Sequence, residues 1–270
     1  MRAVRLHPPG GSGNLTVEEI AVPSPGEGEV LVRVHAAAIT RDELDWPVDR
    51  LPAIPSYELS GVVERLGDGV AGLRAGDAVF ALTSFDRDGV AAELAVVSAG
   101  VLAPKPKALG HVESAALPMG GLTAWQGLFD HGGLRPGQRV LVLGARGGVG
   151  HLAVQLARAR GAEVLEQPGE PVDLVFDTAG GEPLLHAPAL LRPGGRLVSV
   201  AEEPPPSDSA CYFVVEPNRD QLVELARLAD DGALLPAVDS VFPLADARAA
   251  FEHVMTRGKR GKVVLRVVGD

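Results

Sequence analysis

The sequence predicts an α/β chain in two parts, a strand-rich first part and a second part in which strands and helices alternate. Three observations predict it. Residues 1–110 consist of short apolar runs separated by Gly/Pro turn clusters. From residue 112 onward, apolar runs alternate with helical patterns, the signature of βαβ units and a parallel sheet. The length of 270 residues is that of about two domains. In the first part, Val30–Ala38 opens with period-two alternation, and Leu59–Leu66 and Ala78–Leu82 are short apolar runs. Pro23–Gly28, Gly67-Asp68-Gly69 and Ala75-Gly76-Asp77 are the turns between them, and the whole reads as a barrel-like β unit. Val112–Leu117 and Thr123–His131 then read as helices, the second with Thr123 at its N-cap. A strand at Arg139–Leu143, a glycine turn and an amphipathic helix at Val149–Arg160 follow, the helix closed by Gly161. Strands are predicted at Ala162–Leu165, Leu174–Asp177 and Arg196–Val200. Helices at Asp220–Asp231 and Leu244–Thr256 alternate with strands at Val238–Phe242 and Lys262–Val267. The last strand has the pattern to pair with either part.

Composition excludes several classes. Hydrophobic residues at 46% and charged residues at 22% are ordinary for a folded chain. The single cysteine, Cys211, excludes an intrachain disulfide and a multi-thiolate zinc site. The seven histidines form no HxH or HxxxH pair, which argues against a metal site. No apolar run reaches the roughly 18 residues of a membrane span. Pro8-Pro9 interrupts the start before a signal-peptide core forms. A net charge of −10 argues against nucleic-acid or anionic-membrane partners. A soluble, cytoplasmic protein is expected.

The segment Val140–Gly150, VLVLGARGGVG, joins a strand of apolar residues to a helix through Gly144, Gly147, Gly148 and Gly150. Glycines in such a turn permit positive φ and close approach of a pyrophosphate, and the helix N-terminus supplies N–H donors. The spacing is GxxGxxG rather than GxGxxG, so the strand–turn–helix context carries the dinucleotide reading. The same turn also serves as a tight βα connection with nothing bound.

Further stretches are PGEGEVLVRVHAAAIT (25–40), SGVVERLGDGV (60–70), GDAVFAL (76–82), AALPMGGLTAWQGL (115–128), VDLVFDTAGGE (172–182), LRPGGRLVSV (191–200) and GKVVLRV (261–267). With LRPGQRVLVLGARGGVGHLAVQLARARGAEV (134–164), they make a chain that resembles the zinc-free, quinone-oxidoreductase-like branch of the medium-chain dehydrogenase/reductase superfamily. The resemblance implies a GroES-like β domain over residues 1–110, to which the C-terminal strand of 240–270 returns. It implies a Rossmann-like parallel-sheet domain over 111–240, with nicotinamide and substrate held between the two. Ser56-Tyr57-Glu58 stands where the zinc-dependent relatives have Gly-His-Glu, and their four-cysteine lobe is missing. Roughly 40 residues of the usual doubly wound unit are also missing after Val164–Leu165. In the family that block carries the 2′-phosphate contacts and much of the adenine pocket. The residues left, Glu166–Asp173, span about 30 Å at most when extended, so a shrunken sheet with an open adenosine side is expected. Glu166 lies about 20 residues beyond the glycine turn, where an acid would receive a ribose 2′-OH and select NAD over NADP. It also suits a solvated strand end.

The resemblance places the catalytic cleft at altered residues. Thr40-Arg41-Asp42-Glu43 replaces Asn-Pro-x-Asp, GVAAEL (89–94) lacks the usual tyrosines, and Arg146 enters the turn. Asp42, Asp45, Tyr57, Glu58, Thr123 and Arg146 would line the cleft. A desolvated Glu58 or Asp42 would act as acid or base, with Tyr57 and Arg146 stabilising negative charge. Asp42 and Glu43 also fit the first turn of a helix. Thr40, Trp46, Phe85 and Trp125 would form a substrate wall, unless they are core. Gly144, Gly147, Gly148, Val149, Gly150 and Glu166 are the dinucleotide residues, should one bind. The expectation drawn from the deletion is a cofactor-independent, non-redox enzyme. It would cyclise, isomerise or eliminate on a hydrophobic, polyketide-like molecule, as in antibiotic biosynthesis. The alternative is a zinc-independent NAD(P)H-dependent quinone or enone oxidoreductase. A homodimer is the default assembly.

Overall fold

The structure, a computed structural model, describes residues 1–8, 10–46, 50–165, 167–256 and 258–268. In chain order it begins with β1 (Arg2–Leu6), β2 (Leu15–Glu19), β3 (Glu29–Ile39), β4 (Glu58–Leu66), β5 (Ala78–Leu82), β6 (Leu94–Ser98) and β7 (Ala103–Pro104). Next come α1 (His111–Ala115), α2 (Pro118–Trp125), β8 (Arg139–Leu143), α3 (Gly150–Ala159), β9 (Glu163–Leu165), β10 (Val172–Asp177) and α4 (Glu182–His186). The chain ends with β11 (Leu191–Ser199), β12 (Ala210–Tyr212), α5 (Arg219–Asp230), β13 (Val238–Pro243), α6 (Ala247–Val254) and β14 (Lys262–Arg266). It divides into two compact units, Met1–Pro118 with Pro217–Asp230 and Pro236–Asp270, and Met119–Glu216 with Asp231–Leu235.

The first unit is built around β3. One sheet runs β13-β14-β3-β4-β5-β7, with β6 also paired to β3, and β1 and β2 form a separate antiparallel pair. The core gathers Val32, Leu59, Val79, Phe251 and Leu265, with Phe251 brought in by α6. Alanines on β3 leave room for a helix: Ala36 and Ala38 pack with Ala115 and Ala116 and with Val264 of β14. The C-terminal strand therefore belongs to this unit, antiparallel to β3 with Leu265 opposite Ala37. Helix α5 belongs here too, not with the second unit where the strand–helix alternation put it. Both its ends are tied down, Arg219 Nε donating to the Leu102 carbonyl at 2.9 Å and the Ala108 N–H donating to Asp230 at 2.8 Å.

The second unit is a five-stranded, all-parallel sheet in the order β12-β11-β10-β8-β9. Parallel strands covered on both faces read as unbroken apolar runs, as Val140–Val142 and Leu174–Phe176 do. Helix α3 buries Leu152, Ala153, Leu156 and Ala157 and gives way at Gly161, φ +77°. Helix α2 starts at Pro118, the position where proline's missing N–H costs nothing. Thr123 is thus a buried interior residue, not the N-cap the sequence predicts. A π-helical turn, Gln126–His131, continues it. A Cβ at Gly127 would lie 2.3 Å from the Phe176 ring, so glycine lets this turn rest on β10.

The missing block is bridged by a shortcut at the amino end of the sheet. Strand β9 is three residues long and pairs only as far as Leu165 opposite Leu141. Residues 166–171 span about 20 Å extended, enough to cross two strand spacings of about 5 Å each and regain the start of β10. Arg139, the first residue of β8, holds the return: its guanidinium meets Glu163 at 3.2 Å and Glu170 at 2.5 Å. Asp173 then accepts from the Arg139 N–H at 2.8 Å and from Gln138 Nε2 at 3.0 Å.

Candidate functional site

The second unit carries the glycine turn at the carboxyl ends of β8 and β10. The chain moves from β8 outward to β9 and then back past β8 to β10, which makes the gap between β8 and β10 the switch point of the sheet. Ligands of open parallel sheets bind at this place. Gly144 has φ +81°, and a Cβ there would lie 2.5 Å from Thr178 Oγ1. A Cβ at Gly150 would lie 2.1 Å from the Gly144 carbonyl, and one at Gly120 of α2 would lie 2.8 Å from that of Gly148. The turn is thus closed from three sides by backbone and small residues. No side chain caps the N-terminus of α3; in its first turn the His151 N–H donates to the Gly147 carbonyl at 3.2 Å and the Leu152 N–H to that of Val149 at 3.1 Å. His151 in that first turn takes a 2.8 Å bond between Nδ1 and the Gly147 carbonyl, and burial holds its imidazole below the usual pKa range. The neighbouring loop is set by Asp177, fully buried, which accepts from the N–H groups of Ala179 and Gly180 and from Ser199 Oγ at 2.8 Å. Thr178 Oγ1 donates to the Leu143 carbonyl at 2.7 Å and so ties this loop to the start of the turn.

The first unit carries a buried ionic cluster. Glu58 is fully buried and ion-paired with Lys262, whose ammonium also donates to Thr40 Oγ1 at 2.9 Å. Glu43, 5% exposed, accepts from the Thr40 N–H and the Ser56 N–H, both at 2.9 Å. Burial pushes the Glu43 carboxyl up to a pKa of about 8, with the two backbone N–H groups and Lys262 opposing the shift and Glu58 adding to it. Ser56 is held at φ +69° by the Glu43 bond and by its own Oγ, which donates to the Ala38 carbonyl at 2.8 Å. Beside this cluster Trp46, Tyr57 and Phe85 pack on one another with ring centroids 5.2–5.8 Å apart.

The expected site residues thus separate into groups. Trp46, Tyr57 and Phe85 come together, and Thr40 joins Glu58 through Lys262. Asp42 is not desolvated; its side chain is 66% exposed and lies 3.9 Å from Arg41. Glu58 is buried but compensated by Lys262. Residues 41–44 form a turn rather than a helix, so the helix-start reading of Asp42 and Glu43 gives way. Arg146 is exposed on the turn. Trp125 lies under the Arg160 guanidinium, 4.8 Å from the ring centroid. Arg160 follows the C-terminal end of α3, about 15 Å along the helix from the glycine turn, so Trp125 is remote from it. Cys211 is half-buried, with burial raising its thiol pKa. Glu166 lies outside the described residues. Glu43 and Lys262 were not foreseen; a lysine opening the apolar run Lys262–Arg266 is the one signal in the sequence that points to them.

Residues 26–107 match the alcohol dehydrogenase GroES-like domain family, and residues 152–265 match the family described as zinc-binding dehydrogenase. An NADPH-dependent alkenal/one oxidoreductase of Arabidopsis thaliana is 31% identical over 95% of this chain and 77% of its own length. The quinone oxidoreductase of Rattus norvegicus is 28% identical over 98% of this chain and 97% of its own. The crystal structure of an alcohol dehydrogenase superfamily protein from Novosphingobium aromaticivorans superposes with a TM-score of 0.90 at 30% identity, covering 99% of this chain and 100% of that one. The chain belongs to the medium-chain dehydrogenase/reductase superfamily, in its quinone-oxidoreductase-like branch. The alignment with the rat protein extends over 322 residues against 270 in this chain, so the relatives carry residues inside the matched span that are missing here.

These relatives overturn the expectation of a cofactor-independent, non-redox cyclase. Proteins that match this chain along nearly its whole length are named as oxidoreductases, one of them as NADPH-dependent. The inference from a deleted block to a lost cofactor fails because the deletion spares the turn between β8 and α3. The turn that would take a pyrophosphate is kept: Gly144 and Gly150 are packed so closely, against Thr178 and the Gly144 carbonyl, that only glycine fits there. Zinc is a different case. Among the described residues no group of three or more His, Cys, Asp or Glu side chains is arranged to hold a metal ion, so the donor set does not fit one. Among them, too, no helix is long and apolar enough to cross a membrane.

Proposed function

We propose that this chain is a zinc-independent reductase that uses NADH or NADPH to reduce a quinone or an enone. The observation that carries the reading is the glycine turn, where only glycine fits at positions 144 and 150 and no side chain caps the N-terminus of α3. Reduced nicotinamide supplies a hydride when bound, and a proton from solvent completes the two-electron reduction. Gly144, Gly147, Gly148, Val149 and Gly150 hold the pyrophosphate, and the exposed Arg146 adds positive charge beside it. The Trp46–Tyr57–Phe85 packing offers an apolar aromatic surface suited to a planar, hydrophobic substrate. Tyr57, beside Trp46 and Phe85, is the hydroxyl assigned to the substrate oxygen. A homodimer and a cytoplasmic setting complete the reading. The test is titration with NADPH and NADH, followed by fluorescence or heat. Saturable binding at micromolar concentration, with consumption of the reduced nucleotide once a quinone is added, is expected. Silence up to millimolar nucleotide would reject it.

A further inference from the structure

We infer that coenzyme recognition stops at the nicotinamide–phosphate half, so that reduced nicotinamide mononucleotide binds about as well as NADH or NADPH. The inference rests on the reductase reading and narrows which part of the coenzyme this chain grips. In a doubly wound sheet the pyrophosphate sits on the helix after the first strand, and the adenosine lies outward, over the carboxyl ends of the strands beyond it. Here the outward side has almost nothing to offer. Among the described residues the sheet ends at β9. Strand β9 stops opposite Leu141, while β8 runs on to Leu143 before Gly144 opens the turn. The paired part of β9 therefore ends two residues short of the end of β8.

The chain after β9 leads back toward the start of β8. By Glu170 it has reached the opposite end of the sheet, where the Arg139 guanidinium holds Glu170 at 2.5 Å and Glu163 at 3.2 Å. Asp173 is fixed at the same end by the Arg139 N–H and Gln138. The return segment is thus tethered away from the coenzyme face. Its composition points the same way: Gly161–Pro171 reads GAEVLEQPGEP, with three glutamates and neither lysine nor arginine. A 2′-phosphate would find neither lysine nor arginine in that segment. The pyrophosphate-side elements, by contrast, are intact, since Gly144, Gly150 and α3 are fixed by contacts with Thr178, Gly120 and the turn itself.

Isothermal titration of the full chain with reduced nicotinamide mononucleotide, NADH and NADPH tests this directly. All three dissociation constants are expected within tenfold of one another. Gly147→Asp, which places a carboxylate on an exposed position of the turn, is expected to weaken all three by at least tenfold with an unchanged melting temperature. Either dinucleotide binding more than tenfold tighter than the mononucleotide would overturn the inference and leave the reductase reading standing. So would a gap above tenfold between NADH and NADPH. Gly147→Asp binding like the unmodified chain would also overturn it, by placing the ligands elsewhere. No binding by any of the three would overturn the reductase reading and this inference together.

Discussion

Replacing Glu43 by Gln should remove a pH dependence from the stability of the first unit. In the folded chain, burial lifts the Glu43 carboxyl from 4.5 to a pKa of about 8. Between those values the folded state keeps a proton that the unfolded chain releases, so stability falls as pH rises. The loss starts above about pH 4.5 and is complete once pH passes about 8; over that window it amounts to about 5 kcal/mol, at about 1.4 kcal/mol per unit. Gln cannot ionise, and the variant escapes this loss. It has its own cost: both Glu43 oxygens accept backbone N–H bonds, from Thr40 and Ser56, and an amide can accept only one. Losing the other costs about 1–3 kcal/mol. The unmodified chain should therefore be the more stable at pH 5 and the variant at pH 8, with the curves crossing between about pH 5 and pH 7. Urea unfolding read by Trp46 fluorescence measures it, with Trp125→Phe in both proteins so that one of the two tryptophans remains, in the first unit. Other carboxylates titrate in both proteins and cancel in the difference. Parallel curves from pH 5 to pH 8 would refute the argument.

Three further predictions probe the second unit. Gly127→Ala should destabilise by about 1–3 kcal/mol through overpacking against Phe176, and Phe176→Leu in the same chain should recover part of it, as a double-mutant cycle in urea would show. Gly144→Ala combines φ +81° with a 2.5 Å approach to Thr178 Oγ1; reduced-nucleotide binding should drop more than tenfold by titration, with a loss of about 1–3 kcal/mol in stability. Asp177→Asn leaves the loop one acceptor short for Ser199 Oγ and the Ala179 and Gly180 N–H groups, and should cost about 1–3 kcal/mol by thermal unfolding.

What the sequence disclosed follows from which forces act locally. The strand–turn–helix of Arg139–Ala159 is set by apolar period and glycine, and both are visible in the chain. The missing block could be read as a jump from Val164–Leu165 to Leu174, and the structure shows what the jump requires: a β9 of three residues, so that the return begins low on the sheet. Strands β1, β2, β6, β7 and β12 escaped notice because they are at most five residues long and carry little alternation. The interior position of Thr123 was hidden by Pro118, which starts the helix five residues earlier than the threonine suggested. Least legible was the cluster of Glu43, Glu58 and Lys262. The burial of Glu43 depends on Ser56, and that of Lys262 on Thr40, 222 residues away along the chain. Nothing within a window of local periodicity encodes either contact.

That cluster also sets the local structure of the Ser56-Tyr57-Glu58 segment. A fully buried carboxylate such as Glu58 needs a compensating charge, because desolvation of an isolated ion costs far more than folding supplies. The compensating charge comes from β14, a strand paired to β3, whose Lys262 reaches both Glu58 and Thr40. One lysine balances one carboxylate. The second carboxyl, Glu43, is also within reach of the Lys262 charge, but burial outweighs it, and the elevated pKa keeps Glu43 neutral near pH 7 while its oxygens still accept the Thr40 and Ser56 N–H bonds. Charge closure thus links the two ends of the first unit, and it fixes Ser56 at φ +69°, immediately before Tyr57. Tyr57 is in turn stacked on Trp46 and set edge-on to Phe85. The aromatic surface assigned to the substrate is thus positioned through the bonds that Thr40 and Ser56 make to a protonated Glu43.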